Sequence, residues 1–395
     1  MMAPFDEWEF DHLDPWLAPR MNEVFTEIRG DCPVIHSANY GGFWAALTHE
    51  TVKEVTGDPQ TYSSTGGPTI PPVHGVLMPP IEFDPPEHTA YRKIIQRQFT
   101  RQGAARYEPL LRRLVQDRLA ELIEQGTADL IPTLARYLPP MAIAVILGLP
   151  PEDGERFVEW TTRLLVTTAA GDHAENKRVE EEFTAYVAGH LNRTGDEENV
   201  IGEIGRGRLN GRPLTPQEQL GMIFLLIIAG HETTVHGIGT MIYHIATVEG
   251  LRDRLIADPT LVPGMIDESL RIEAPVVSVA RTVHGRADLA GQTLGDAERV
   301  LLVLSSANHD PAVFDRPEEF VCPRSRNPHV TFGSGVHRCV GEHLALLEMR
   351  IVAEELLSMA PGYRIADGFR PEWTSGPVVR GLASLPVTLH GRPST

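Results

Sequence analysis

At 395 residues, with 42% hydrophobic and 22% charged residues, the chain has the composition of a folded globular protein, which excludes a disordered chain and a membrane-embedded bundle. Its formal net charge of -18 argues against nucleic-acid binding, which needs clustered basic side chains to neutralise phosphates. The three cysteines, Cys32, Cys322 and Cys339, form no CxxC pair, so neither a disulfide framework nor a structural zinc site is expected, and a reducing compartment fits.

The N-terminal MMAPFDEWEFDHLDPW carries neither a basic leader nor an apolar run, and the longest apolar stretch, near Leu220 to Gly230, is about half of the ~20 residues that span a bilayer. A cytoplasmic protein without a membrane anchor is therefore expected. No repeat or charged linker divides the chain, which predicts a single domain over 1–395. Between Tyr62 and Pro86 the sequence is rich in Pro and Gly yet carries Ile70, Val73, Val76, Leu77 and Met78; apolar residues in so long a loop suggest a pocket wall. Asp84 to Arg92 follows, and Arg92, Lys93, Arg97 and Arg101 form a basic run in an acidic chain. From Ala104 to Gln125, Leu111, Leu114, Val115, Leu119, Leu122 and Ile123 recur at helical spacing, with Gly126 as the C-cap. The same pattern returns over Pro151 to Leu165.

Thr215, Pro216 and Glu218 make a strong helix start, with Thr215 as N-cap and Glu218 closing a capping box. The apolar helix that follows runs into Ala229-Gly230-His231-Glu232-Thr233-Thr234, whose glycine and threonines are poor helix formers and suit a backbone that opens beside a ligand. His231 could face either a pocket or a backbone carbonyl. Another helical pattern covers Leu251 to Arg271, where Glu268 and Arg271 share a face. Glu175/Arg178, Glu203/Arg206 and Glu249/Arg252 have the same spacing and read as solvated surface pairs. Val300 to Leu304 and Ala383 to Leu389 read as strands and Leu344 to Leu357 as a helix, so the fold class is mainly α with minor β.

One segment carries specific chemistry: Phe332-Gly333-Ser334-Gly335-Val336-His337-Arg338-Cys339-Val340-Gly341. Its glycines allow sharp turns and close approach to a flat group, and a cysteine just ahead of a helix N-terminus has its thiolate, the metal-binding form, stabilised. A lone cysteine is usually a buried structural thiol. The chance of these residues falling at these offsets is roughly one in a million at average composition, so the pattern is not a lone cysteine.

This segment resembles the haem-binding signature F-G-x-G-x-H-x-C-x-G of the cytochrome P-450 family. Ala229 to Thr234 is similar to the family's A-G-x-[DE]-T-T, with Glu232 in place of the commoner Asp. Glu268 to Arg271 matches its E-x-x-R. The resemblance to the family spans Asp84 to Pro386 with its motifs in order, and Asn210 to Gln219 and the ending from Ser375 to Pro386 are similar to the soluble bacterial members that include camphor hydroxylase. The resemblance implies haem b, sandwiched between the long helix and the cysteine loop. Cys339 would be the axial iron ligand, and His88, Arg92, Arg281 and His337 would lie at the propionates. Ala229, Gly230, Phe332 and Gly341 would lie against the cofactor. Thr233 and Glu232 would deliver protons to bound O2, and Glu268, Arg271 and Arg324, the last placed by Pro317 and Phe320, would form a structural trio. Val76, Leu77, Met78, Leu226, Ala229, Val276, Val279 and Val378 would line the substrate pocket. It further implies a monomeric monooxygenase acting on a small-to-medium hydrophobic substrate, with hydroxylation as its reaction. Electrons would come from NAD(P)H through a ferredoxin reductase and a ferredoxin docked on the basic run. Epoxidation, O-demethylation, aryl coupling and peroxide-driven chemistry are the alternatives within the family, and a haem sensor without turnover is the alternative outside it.

Overall fold

The structure, a computed structural model, describes residues 10–72, 77–170, 172–191, 198–375 and 379–391. Helices dominate. The longest, Pro216–Thr247, starts as its sequence requires: the Thr215 hydroxyl accepts from Glu218 N at 3.2 Å while the Glu218 carboxylate accepts from Thr215 N at 2.6 Å. By length and composition this helix could cross a membrane, but 67% of its most apolar stretch is buried; it is the axis of the core. Around it pack Leu138–Leu147, Val262–Ile272 and Glu342–Met359.

Glycines set how closely these helices approach. A side chain at Gly230 would collide with Ile143, and one at Gly239 would meet Ile131 Cδ1 at 2.5 Å. A mid-helix glycine costs about 1 kcal/mol against alanine, offset here by the apolar contact its absence of a side chain permits. Gly230 thus has a packing role, and the helix runs through it without a break.

A five-stranded sheet, in the order Val34–Ser37, Phe43–Ala46, Arg299–Val303, Ser278–Val283, Tyr62–Ser63, lies beside the helical core. Its neighbours are antiparallel except for Arg299–Val303 against Phe43–Ala46, where Leu301 lies opposite Ala45 on one side and Ala280 on the other. The sheet has its own apolar layers, one holding Phe25, Phe43 and Leu301.

Several boundaries differ from the sequence reading. The pattern over Ala104 to Gln125 divides into Arg101–Ala105 and Glu108–Gln125, because Pro109 opens a new helix; Gly126 takes the expected left-handed C-cap at φ 75°. Leu251 to Arg271 divides at Pro259 and Pro263 into Leu251–Ala257 and Val262–Ile272. The helix expected from Pro151 begins at Gly154, after a single turn of 3₁₀ helix. Of the apolar run Ala383 to Leu389, the strand keeps Pro386–Thr388.

The Pro/Gly-rich loop is held from the sheet: Arg299 donates to the carbonyls of Gly66 at 2.7 Å, Gly67 at 2.8 Å and Thr69 at 3.0 Å. That clamp brings Pro68, Pro80 and Ile81 onto a cavity wall. Leu77 and Met78 do not join them, which corrects the sequence reading. Leu77 is 56% exposed, its carbonyl pressed against Gly221 of the long helix, and Met78 N is tied to Glu82 at 2.7 Å. Val76, like Val73, lies outside the described residues, as does Val378.

Candidate active site

Between the long helix, the sheet and the cysteine loop lies a cavity of about 280 Å³. The loop that forms its floor follows from two glycines. Gly333 and Gly335 have φ of 71° and 67°, a region that side chains disfavour, and a side chain at Gly335 would strike the Thr56 carbonyl. Gly341 has an ordinary φ of -83°, so its role is not a turn; it leaves space over the sulfur, 3.9 Å from where its side chain would begin.

Cys339 is anchored by its own N–H to the Phe332 carbonyl at 2.8 Å and lines the cavity. Burial pushes the thiol up, against the pull of the Gly341 and Glu342 amides and of Arg92. These are the first amides of helix Glu342–Met359, so the sulfur sits at a helix N-terminus.

One edge of the cavity is cationic. His88 and Arg92 share a face of helix Glu87–Ile95, Arg281 comes from strand Ser278–Val283, and His337 from the turn Gly335–His337. The His88 and His337 rings are 4.1 Å apart, and both ring nitrogens of His88 lack a partner. Burial, reinforced by Arg92, lowers His88 to about 4. Burial, with Arg281 and His88, lowers His337 to about 3, and burial lowers Arg281 to about 10. Among the described residues none of the four forms an ion pair with a carboxylate; Asp84, whose charge reaches His88 and Arg281, is engaged by Ser63 and Ser64 N. Four converging donors without a counter-charge fit an anionic ligand edge. Elsewhere the wall is mostly apolar: Ile95, Phe99, Ile143, Leu344, Leu226, Ala229, Val276 and Val279 line it with Gly230, Phe332 and Gly341, interrupted by the Thr233 and Thr234 hydroxyls and by the carboxyl of Glu348, which burial pushes toward its neutral form. A soft thiol donor, an anion-seeking edge and an apolar slot together fit haem, with its iron, paired propionates and hydrocarbon rim.

The two residues expected to handle protons are divided by the helix. Thr233 lines the cavity, its hydroxyl donating to the Ala229 carbonyl at 3.1 Å. Glu232, next along the turn, points away from the cavity and accepts from Arg136 at 2.6 Å. His231 faces a backbone carbonyl, not the pocket: its Nδ1 is 2.6 Å from Ile227 O.

The expected trio is assembled around a fully buried Glu268. Arg271 donates to both of its oxygens at 2.8 and 2.9 Å, and Arg324 at 2.9 Å. Burial works against the charge, yet Arg271, Val321 N and Arg324 hold the carboxyl below its ordinary range. Arg271 also donates to the carbonyls of Asn308, Pro317 and Glu319, fixing the segment that leads to the cysteine loop. Of the three spacing matches, Glu175–Arg178 is an exposed pair at 3.3 Å, whereas Glu203 pairs with Arg97 and Arg252 lies over the Tyr363 ring at 4.2 Å. The basic run is thinner than it reads, since Arg92 faces the cavity and Arg97 is paired with Glu203 at 3.3 Å.

Sequence reasoning missed Ser64, whose hydroxyl is 2.9 Å from His337 Nε2, and Arg136, the partner of Glu232. Neither lies in a motif; both meet their partners only through the fold.

The family model for Cytochrome P450 matches residues 203–359. A steroid C26-monooxygenase of Mycobacterium tuberculosis is 30% identical over 93% of this chain and 99% of its own length. The chain belongs to the cytochrome P450 family. The P450 monooxygenase PikC of Streptomyces venezuelae is 31% identical over 87% of this chain and 84% of its own. Among solved structures, a mutant of P450 EryK in complex with erythromycin B superposes with a TM-score of 0.86 at 27% identity, covering 95% of this chain and 98% of that one. CYP109E1 from Bacillus megaterium in complex with testosterone gives 0.82 at 29%, covering 93% and 99%. The chain is thus a cytochrome P450 monooxygenase with the P450 fold, a user of haem b and O2 that draws on NAD(P)H through redox partners.

Proposed function

We propose that this P450 hydroxylates a neutral, small-to-medium hydrophobic molecule, with electrons supplied by a ferredoxin and its reductase in the cytoplasm. The observation that carries the reading is the single thiol of Cys339 on the floor of an apolar cavity whose cationic groups gather at one edge. Bound through Cys339, haem supplies dioxygen activation, the electron-rich thiolate favouring O–O cleavage as in other thiolate-ligated members of the family.

The chain's own residues divide the remaining work. Cys339 holds the iron, and His88, Arg92, Arg281 and His337 hold the propionates, which cancel the positive charge of that edge. Phe332, Gly341, Ala229 and Gly230 enclose the ring. Leu226, Ala229, Val276 and Val279 hold the substrate and keep water out; an apolar wall offers an ionic group nothing to replace its hydration. Thr233 passes protons into the cavity and Glu232 supplies them, a division of labour suited to a hydroxyl that lines the wall and a carboxylate behind it. The whole chain acts as one domain, and Lys93 and Arg101, both exposed, favour an acidic ferredoxin by charge complementarity.

The test is a screen of neutral apolar compounds for a shift in the spin state of the ferric enzyme, followed by product analysis with ferredoxin and reductase. A single hydroxylated product from a compound that shifts the spin state supports the reading. Spin-shifting compounds that leave without added oxygen, at normal oxygen consumption, would overturn it.

A further inference from the structure

Glu232 has two histidine rings near its carboxylate besides its partner Arg136. Its Oε1 accepts from Arg136 Nη1 at 2.6 Å and lies 3.7 Å from His231 Nε2, while Oε2 is 3.9 Å from His236 Nε2. Among the described residues these are the charged or titratable groups within ion-pair reach of Glu232. Arg136 comes from the end of the turn Ile131–Ala135 and the two histidines from Glu232's own helix. From helix Gly154–Ala170 the facing group is Thr161, which is not titratable.

The state of the His231 ring follows from its contacts. Nδ1 is 2.6 Å from the Ile227 carbonyl, which can only accept, so Nδ1 carries the hydrogen. The ring is 0% exposed, and burial disfavours its charged form. Nε2 is then a bare lone pair. Among the described residues the one donor beside it, the Thr161 hydroxyl at 3.2 Å, is shared with the Phe157 carbonyl at 2.8 Å and the Val158 carbonyl at 3.2 Å. A buried acceptor with a third share of one donor is poorly satisfied, and the nearest group able to become a donor is Glu232 itself.

We propose that His231 is a positioning residue that receives the hydrogen of protonated Glu232, giving the carboxyl two built positions. The inference rests on the reading that Glu232 supplies protons to Thr233. Ionised, Glu232 accepts from Arg136, which has only donors to offer. Arg136's side chain is 34% exposed, so water reaches this pair. Once water protonates Oε1, that oxygen becomes a donor that Arg136 cannot accept from, and the hydrogen turns to His231 Nε2. Release toward Thr233 restores the carboxylate and Arg136 recaptures it. One proton enters from solvent, one leaves toward the cavity, and no electron moves. Thr161 competes for the same lone pair and so limits how firmly the proton is held.

The experiment is infrared difference spectroscopy of the haem-loaded enzyme across pH, with product formed per NADPH consumed measured in parallel. Glu232→Gln, His231→Phe and Thr161→Val are compared with the parent. The expected result is a protonated-carboxyl C=O band that vanishes in E232Q and moves to higher frequency in H231F. The alkaline limb of the coupling profile should move to lower pH in H231F, where the protonated form loses its acceptor. It should move to higher pH in T161V, where the competing donor is gone, each by about half a pH unit, the effect of one ordinary hydrogen bond. Disturbed packing alone would move both variants the same way. A band unchanged in H231F, or limbs that do not move in opposite directions, would overturn the inference while leaving Glu232 as the proton source. Full coupling in E232Q would instead remove the underlying reading. If H231F does not fold, T161V decides: an unmoved limb there counts against the proposal.

Discussion

At the scale of single residues, burial holds the key groups of the site in their uncharged forms. Burial raises the Cys339 thiol, and burial together with the neighbouring arginines lowers His88 and His337; a metal cation and two carboxylates would relieve all three. Replacing Arg281 with Leu should cut haem occupancy, read as the ratio of Soret to protein absorbance, because a buried cation facing a propionate is not replaceable by water. The same reasoning applies with larger effect to Glu268. Glu268→Ala leaves two buried guanidinium groups uncompensated, and about 3–5 kcal/mol of stability should be lost, measurable by urea unfolding. Cys339, His337 and the pair Glu268 and Arg271 stand in short spacings that the sequence displays, whereas Arg324, 56 residues from Glu268, was placed only by the family resemblance. Ser64 and Arg136 were not legible: each reaches its partner across 273 and 96 residues of chain, and no periodicity encodes such a meeting.

At the scale of elements, local chemistry decided starts and stops, and tertiary packing decided the rest. The capping box at Thr215 and the left-handed Gly126 were read from four-residue patterns. Thr215→Ala should therefore cost about 1 kcal/mol of stability without altering the CO spectrum of the reduced enzyme. Prolines 109, 259 and 263 divided helices that apolar spacing had run together. Gly230 belongs to the packing class. Gly230→Val should destabilise the enzyme by more than the intrinsic helix term, because its side chain must displace Ile143, and thermal unfolding of the haem-loaded form checks this. Leu77 was misread for a related reason: apolar character marks a residue as able to line a pocket, but the loop's direction is set by Arg299 and Gly221, which lie far away in sequence.

For the whole molecule, the charge of the cavity sets both its pH behaviour and its choice of ligand. With haem removed, His88 and His337 stay neutral when folded down to about 4 and about 3, whereas unfolded they charge below 6.5. Unfolding then takes up protons, so stability of the stripped protein should fall as pH drops from 6.5 toward 4, and the urea midpoint reports it. Propionates in place should flatten that slope. Once they are neutralised, the apolar side chains of Leu226, Val276 and Val279 give an ammonium group nothing to replace its hydration, and amine-bearing ligands should bind at least about tenfold more weakly than neutral ones of equal size, as titration of the spin state will tell.

All of this depends on the sulfur of Cys339 meeting iron. The direct measurement is the absorption spectrum of the reduced carbon monoxide complex of the parent enzyme and of Cys339→Ser. The parent should show the strongly red-shifted Soret band of thiolate ligation, and the variant should lack it and lose oxygenation. A Cys339→Ser enzyme that keeps both the band and normal turnover would contradict the account.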